Sequence, residues 1–131
     1  MRNRDATIAH WQAQQLTNFS AADDFRVSPF YDDGKTYGTP TWIWSVVVDG
    51  HLYIRAWNGL SSRWHRSAVQ QRAGRMYLAG ANYEVSFVDV DSADLNNQID
   101  QAYQKKYANS LYLDSMIQQR ARVSTLEVVP R

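Results

Sequence analysis

The dipeptide Asp49-Gly50 stands between two runs rich in β-branched and aromatic residues, Thr41-Trp-Ile-Trp-Ser-Val-Val-Val48 and His51-Leu-Tyr-Ile-Arg-Ala-Trp57. Asp-Gly supplies the two positive-φ residues of a tight type I′ turn, whose twist matches that of antiparallel strands. The chain is therefore predicted to hold a β-hairpin here, and a two-residue turn fixes its register. Val48 then faces His51, Val46 faces Tyr53, Trp44 faces Arg55 and Trp42 faces Trp57 on one side. Val47 with Leu52, Ser45 with Ile54 and Ile43 with Ala56 make the other side, the expected core face.

The first side is unusual for its three indoles, a phenol and an arginine. Three readings fit it. It packs under a helix with Arg55 stacked on Trp44. It forms a stacking wall for a flat ring, with Arg55 near an anionic part of the ligand. Or it anchors a subunit interface, where Trp, Tyr and Arg are enriched.

Around this hairpin the pattern predicts a helix over residues 5–16, with Asp5 as its cap and Ile8, Trp11 and Gln15 on one face. A short, edge-type strand is expected within 23–30, ending at Pro29, and a loop over 31–40. A helix follows Ser61 or Ser62 and runs to Gln71, with Gly74 closing it. Strands are expected at 76–79 and 83–90. Ser92 caps a further helix, a second runs over 111–120, and a last strand covers 123–129. The expected organisation is a single domain over 1–131: an N-terminal helix 5–16, a barrel from 23–90 plus 122–129, and a helical insertion 92–120. Short antiparallel strands with few helices point to a mainly β fold, a small antiparallel split β-barrel with flanking helices.

Composition narrows the chemistry. The 131 residues include no cysteine, which excludes disulfides, thiolate-bound metals and a thiol nucleophile. The histidines His10, His51 and His65 have no metal-ligand spacing, so no metal is expected. No GxSxG elbow, P-loop or GxGxxG is present. Net charge is +1, which gives no general preference for nucleic acid or membrane. From Gly50 to Tyr83, however, arginines 55, 63, 66, 72 and 75 occur without a single acid. They form either one basic patch or a scatter of directions. No apolar run is long enough to span a bilayer, and Met1–Asp5 lacks an apolar segment behind its charge, so a cytoplasmic location is expected.

Two polar clusters carry anion-binding composition. Lys35-Thr36-Tyr37-Gly38-Thr39 combines an ammonium, hydroxyls and a glycine backbone. Asn58-Gly59-Leu60-Ser61-Ser62-Arg63 leads into a helix start, where free N–H groups attract anions. A solvated lysine turn is the favoured explanation of the first cluster, and simple capping by Ser61 or Ser62 explains the second at least as well.

The runs Asp23-Asp24-Phe25-Arg26-Val27-Ser28-Pro29, Asp33-Gly34-Lys35-Thr36-Tyr37-Gly38-Thr39-Pro40-Thr41-Trp42-Ile43-Trp44, and Leu52 to Gly59 resemble a bacterial family of chains about this length with no assigned function. The likeness continues through Arg63-Trp64, Ala73-Gly74-Arg75 and Ile99 to Tyr107. More distantly, Gly34 to Pro40, Asn58-Gly59 and Trp64-His65 resemble, in order, motifs of the deazaflavin-dependent nitroreductases, split barrels related to FMN-binding flavoproteins. Gly34 stands where that family has an arginine, and its second loop arginine is missing.

The distant resemblance implies a flavin- or deazaflavin-dependent oxidoreductase with FMN or deazaflavin as cofactor. Lys35, Thr36, Thr39, Ser61, Ser62 and Arg63 then take the phosphate side. Trp42, Trp44, Arg55 and Trp57 line the ring, and Asn58 donates near its edge. No catalytic side chain is implied, because the cofactor does the chemistry. The missing arginines point to the alternative, a non-catalytic module on the same barrel that binds a small ligand or a protein and needs no cofactor. Single-stranded nucleic-acid binding is the weakest reading. The expected partners are a small molecule and, where a barrel shares its site, a second copy of the chain, with no membrane.

Overall fold

The computed structural model describes residues 9–131. Seven strands form one antiparallel sheet: β1 (Arg26–Pro29), β2 (Thr41–Trp42), β3 (Ser45–Val48), β4 (His51–Ile54), β5 (Ala73–Leu78), β6 (Ala81–Asp89) and β7 (Leu126–Pro130). Their order is β2-β1-β5-β6-β7-β4-β3. Five helices accompany them: α1 (Ala13–Ala21), α2 (Arg63–Gln71), α3 (Ala93–Lys106), α4 (Leu113–Met116) and α5 (Gln119–Arg122). The architecture is mainly antiparallel β, a curled half-barrel with flanking helices, consistent with a split-barrel-like fold.

The hairpin register is as the turn dictates. Asp49 and Gly50 both take positive φ, 50° and 81°. Val48 lies opposite His51, Val46 opposite Tyr53 and Ser45 opposite Ile54. Beyond Ser45 the expectation fails. The run expected as one strand over Thr41–Asp49 breaks at Ile43-Trp44. Thr41 and Trp42 pair with β1, while Ser45–Val48 pair with β4. The two ends of the sheet order are thus successive pieces of one stretch of chain, and curling the sheet lets that stretch serve both edges. Trp42 and Trp57, and Trp44 and Arg55, are consequently not ladder partners.

One face of the sheet encloses the main core, with Phe19, Phe25, Leu52, Ile54, Met76, Leu78 and Phe87 almost wholly buried. The alternation that puts Leu52 and Ile54 there turns Val46 and Tyr53 to the opposite face. Those two pack with Ile99 and Tyr103 of α3 and Met116 of α4. The odd face of the hairpin therefore does lie partly under a helix.

Other differences have local causes. The helix expected over 5–16 begins at Ala13 instead, and its expected cap Asp5 and face residue Ile8 lie outside the described residues. Trp11 precedes the helix as an anchor: its Nε1 donates to Val128 O at 2.8 Å, and its ring meets Phe19 and Tyr83 edge-on. Gln12 N donating to Gln15 Oε1 then starts the helix. β1 is not the edge, because β2 covers it. α2 closes on Arg72 in the left-handed region (φ 61°) rather than on Gly74. Gly74 instead sits in β5, where a Cβ would lie 2.5 Å from Ser28 O. Ser92 caps α3 as expected, accepting from Leu95 N. The helix expected over 111–120 is two short ones. No helix among the described residues is long and apolar enough to cross a membrane.

Candidate functional site

The break at Ile43-Trp44 sets up an aromatic-walled cleft. Ile43 N donates to Phe25 O, which holds the crossing strand against β1. Trp42 and Trp44, on either side of Ile43, then wall a cleft of about 310 Å³. Trp57, just past β4, and Tyr112, ahead of α4, form another wall and meet edge to face with centroids 5.2 Å apart. Ile43, Met116 and Arg55 complete the lining. The four ring-side residues expected from sequence, Trp42, Trp44, Arg55 and Trp57, are thus brought together. Tyr112 and Met116 were not expected, since they arrive from the helical excursion and no local pattern marks them.

Each wall is held differently. Trp44 lies flat on Tyr107 of α3, with centroids 3.9 Å apart and planes 2° off parallel. Tyr107 OH donates to Ser45 O and accepts from Ser45 N. Trp42 is 67% exposed and donates its Nε1 to Asp23 O. Trp57 and Tyr112 are also exposed. The indole N–H groups of Trp44 and Trp57 have no acceptor among the described residues. The lining thus offers π-faces, and two of its indoles keep unbonded N–H groups.

Arg55 is fully buried and its donors are all engaged. Nε donates to Thr125 Oγ1, and Nη1 to Asp100 Oδ1 and Met116 O. Nη2 donates to both Asn96 O and Asn96 Oδ1. A guanidinium has five N–H groups, so none remains to bond a ligand. Its cation–π partner is Tyr103, 5.3 Å away, rather than Trp44. Asp100 also faces Arg122 at 3.4 Å, so two guanidinium groups share one carboxylate beneath the cleft. Arg55 therefore lines the cleft without an open donor.

Lys106 of α3 completes the underside. Its Nζ donates to Ser45 O at 2.8 Å, and burial pushes its pKa down to about 8.

The residues expected on a phosphate side do not join this cleft. Asp33 Oδ1 accepts from both Lys35 N and Thr36 N at 2.9 Å, and Thr36 Oγ1 donates to its other oxygen. These bonds hold the Asp33 carboxyl below its usual range. The loop's amides already carry a carboxylate. Thr39 and Arg63 line a separate cavity of about 380 Å³ with Tyr31, Thr41 and Ser67. There Tyr31 OH bonds Thr39 Oγ1 and accepts from Thr39 N. Ser61 Oγ donates to Asn58 O, and Ser62 stands at the cap of α2 without a side-chain cap bond. Lys35, Thr36, Asn58, Ser61 and Ser62 line neither cavity.

The run of arginines does not form one patch. Arg55 is internal, Arg72 is held by both oxygens of Asp89, and Arg75 pairs with Glu84. Arg63 and Arg66 are exposed.

A family model described as an uncharacterized protein conserved in bacteria, DUF2255, matches residues 15–128. The chain belongs to that family. No curated protein and no solved structure matches it. The match spans every strand through Val128 and all the cleft residues, so the aromatic cleft is a feature within the DUF2255 region.

Proposed function

We propose that this protein binds a small, flat, acceptor-bearing aromatic molecule in the cleft walled by Trp42, Trp44, Trp57 and Tyr112. The observation that carries the reading is that three indoles and a phenol, from three separate segments, surround one apolar cavity of about 310 Å³. Isolated exposed aromatics are ordinary, but converging ones around a concave site are costly to leave facing water. The spare indole N–H groups favour a ligand with acceptors at its edge. The role is one of holding a ligand: the cleft lining holds no carboxylate, imidazole or ammonium, and its one guanidinium has every donor engaged.

A flavin or deazaflavin ring belongs to this ligand class, and the ring wall supports that much of the oxidoreductase reading. The rest of the cofactor lacks a holder. The Lys35-Thr36 amides bond Asp33, and Thr39 and Arg63 line a different cavity.

The test is a fluorescence titration of the five-tryptophan chain with a bare tricyclic flavin ring, with FMN and with deazaflavin. Saturable quenching by the bare ring is expected, with the phosphate of FMN adding less than about tenfold in affinity, or 1.4 kcal/mol. Absence of quenching by every flat probe overturns the ligand-binding reading. A gain well above tenfold from the phosphate restores the cofactor reading.

A further inference from the structure

A second cavity, of about 560 Å³, opens between α2 and the chain entering β7. Its bed is apolar, from Val69, Val90 and Leu126. Its most informative residue is His65, whose side chain lines the cavity although the residue is only 4% exposed.

The tautomer of His65 follows from its partner. Nε2 lies 2.9 Å from Ser124 O. A carbonyl only accepts, so Nε2 carries the proton and Nδ1 keeps a bare lone pair. That lone pair has no partner among the described residues. Among those residues only Ser45 Oγ is both sealed in protein and unpartnered. Nδ1 therefore meets the cavity. Burial lowers the His65 pKa, which keeps this lone pair available at neutral pH.

Two carboxylates border the same space, and they differ. Asp89 is spent on Arg72, with bonds of 2.9 and 3.0 Å. Asp91 has no ion-pair partner among the described residues. A buried acceptor, a free carboxylate and an apolar bed together suit a donor group on a small hydrocarbon body. The geometry points to this cavity as a second binding site, for a compact apolar ammonium compound that donates to His65 Nδ1 and faces Asp91. Arg66, also lining the cavity and without an ion-pair partner among the described residues, extends the class to apolar amino acids by offering a donor for their carboxylate. The site does not depend on the aromatic cleft.

The experiment is an NMR titration of the full chain at neutral pH, following the imidazole nitrogens of His65. Isopentylammonium and L-leucine are the probes, and isovalerate, of similar shape and opposite charge, is the control. The expected result is a saturable upfield shift of His65 Nδ1 with both ammonium probes and not with isovalerate. Asp91→Asn, at an exposed position, is expected to weaken isopentylammonium roughly tenfold, in line with loss of a charge-assisted bond. No saturable shift, an equal shift with isovalerate, or unchanged affinity in Asp91→Asn each overturns the proposal.

Discussion

Arg55 and Asp100 meet at 2.5 Å, with the guanidinium wholly buried and the carboxylate side chain 17% exposed. The pair ties the end of β4 to α3. Of the remaining Arg55 bonds, two stay on α3 at Asn96 and the others reach Thr125 before β7 and Met116 of α4. One side chain thus fixes three elements against the cleft.

Removing such a residue leaves Asp100 with Arg122 alone and Met116 O without its donor, both at a buried site. Arg55→Met is therefore expected to cost about 3–5 kcal/mol. Arg55→Lys is expected to recover little, because an ammonium cannot reproduce a planar five-donor fork. Urea unfolding of the three chains checks this. A loss below about 1 kcal/mol in Arg55→Met contradicts the structural role.

Ser45 gives the opposite prediction. Its hydroxyl is buried and unpartnered, while its backbone N–H and carbonyl are engaged by Tyr107. An unmade bond costs free energy, so deleting the hydroxyl relieves the fold. Ser45→Ala is expected to leave stability unchanged or raise it by up to about 1 kcal/mol. A clear loss in thermal or urea unfolding would show that the hydroxyl has a partner.

His65 predicts a pH dependence. Burial is the main cause that lowers its pKa in the folded chain. Above about 6.5, the ordinary imidazole value, folded and unfolded His65 are both neutral and nothing is lost. Below it the unfolded chain takes up a proton that the folded chain refuses, so stability falls with pH until the lowered folded value is passed. Asp33 and Asp89, whose pKa values are also lowered, act only further into acid. Urea midpoints just above and below about 6.5 are expected to differ in the parent chain. The difference should shrink in His65→Gln, whose amide keeps a donor for Ser124 O. An identical slope in both chains contradicts the assignment.

Trp57 and Trp42 are the safest probes of the cleft, because both are exposed and neither holds the core. Trp57→Ala is expected to weaken a flat ligand by about 1–3 kcal/mol, the scale of one lost stacking partner. The folding midpoint should move little. Retained affinity in both Trp57→Ala and Trp42→Ala would remove the aromatic wall from the site.

Much of this was legible in the chain. Asp49-Gly50 specified the hairpin, its register as far as Ser45–Ile54, and the burial of Leu52, Ile54 and Ala56. Ser92 marked the start of α3. The strand break at Ile43-Trp44 was not legible, because the run is β-forming throughout. Only the closure of the sheet decides that its halves pair with opposite edges. The same closure gathers Trp42, Trp44 and Trp57 by a route other than a ladder. Sequence alone leaves Arg55 between packing under a helix, facing a ligand and anchoring an interface, because local sequence does not reveal Asn96, Asp100 and Thr125, which reach it from distant elements. Tyr112 and Met116 share that origin, in short helices with weak periodicity. The Lys35-Thr36 loop has anion-binding composition, but Asp33, two residues before Lys35, satisfies it internally.

The indole N–H signals offer the most direct test of the cleft. Each tryptophan gives one correlation, and the chain carries five. Trp11 is bonded to Val128 O in the core, and Trp64 lines the separate cavity with Arg63. On titration with a flat aromatic probe, saturable shifts are expected for Trp44 and Trp57 with Trp11 and Trp64 unmoved. Shifts confined to Trp64, or no indole shift with any flat probe, would contradict this expectation.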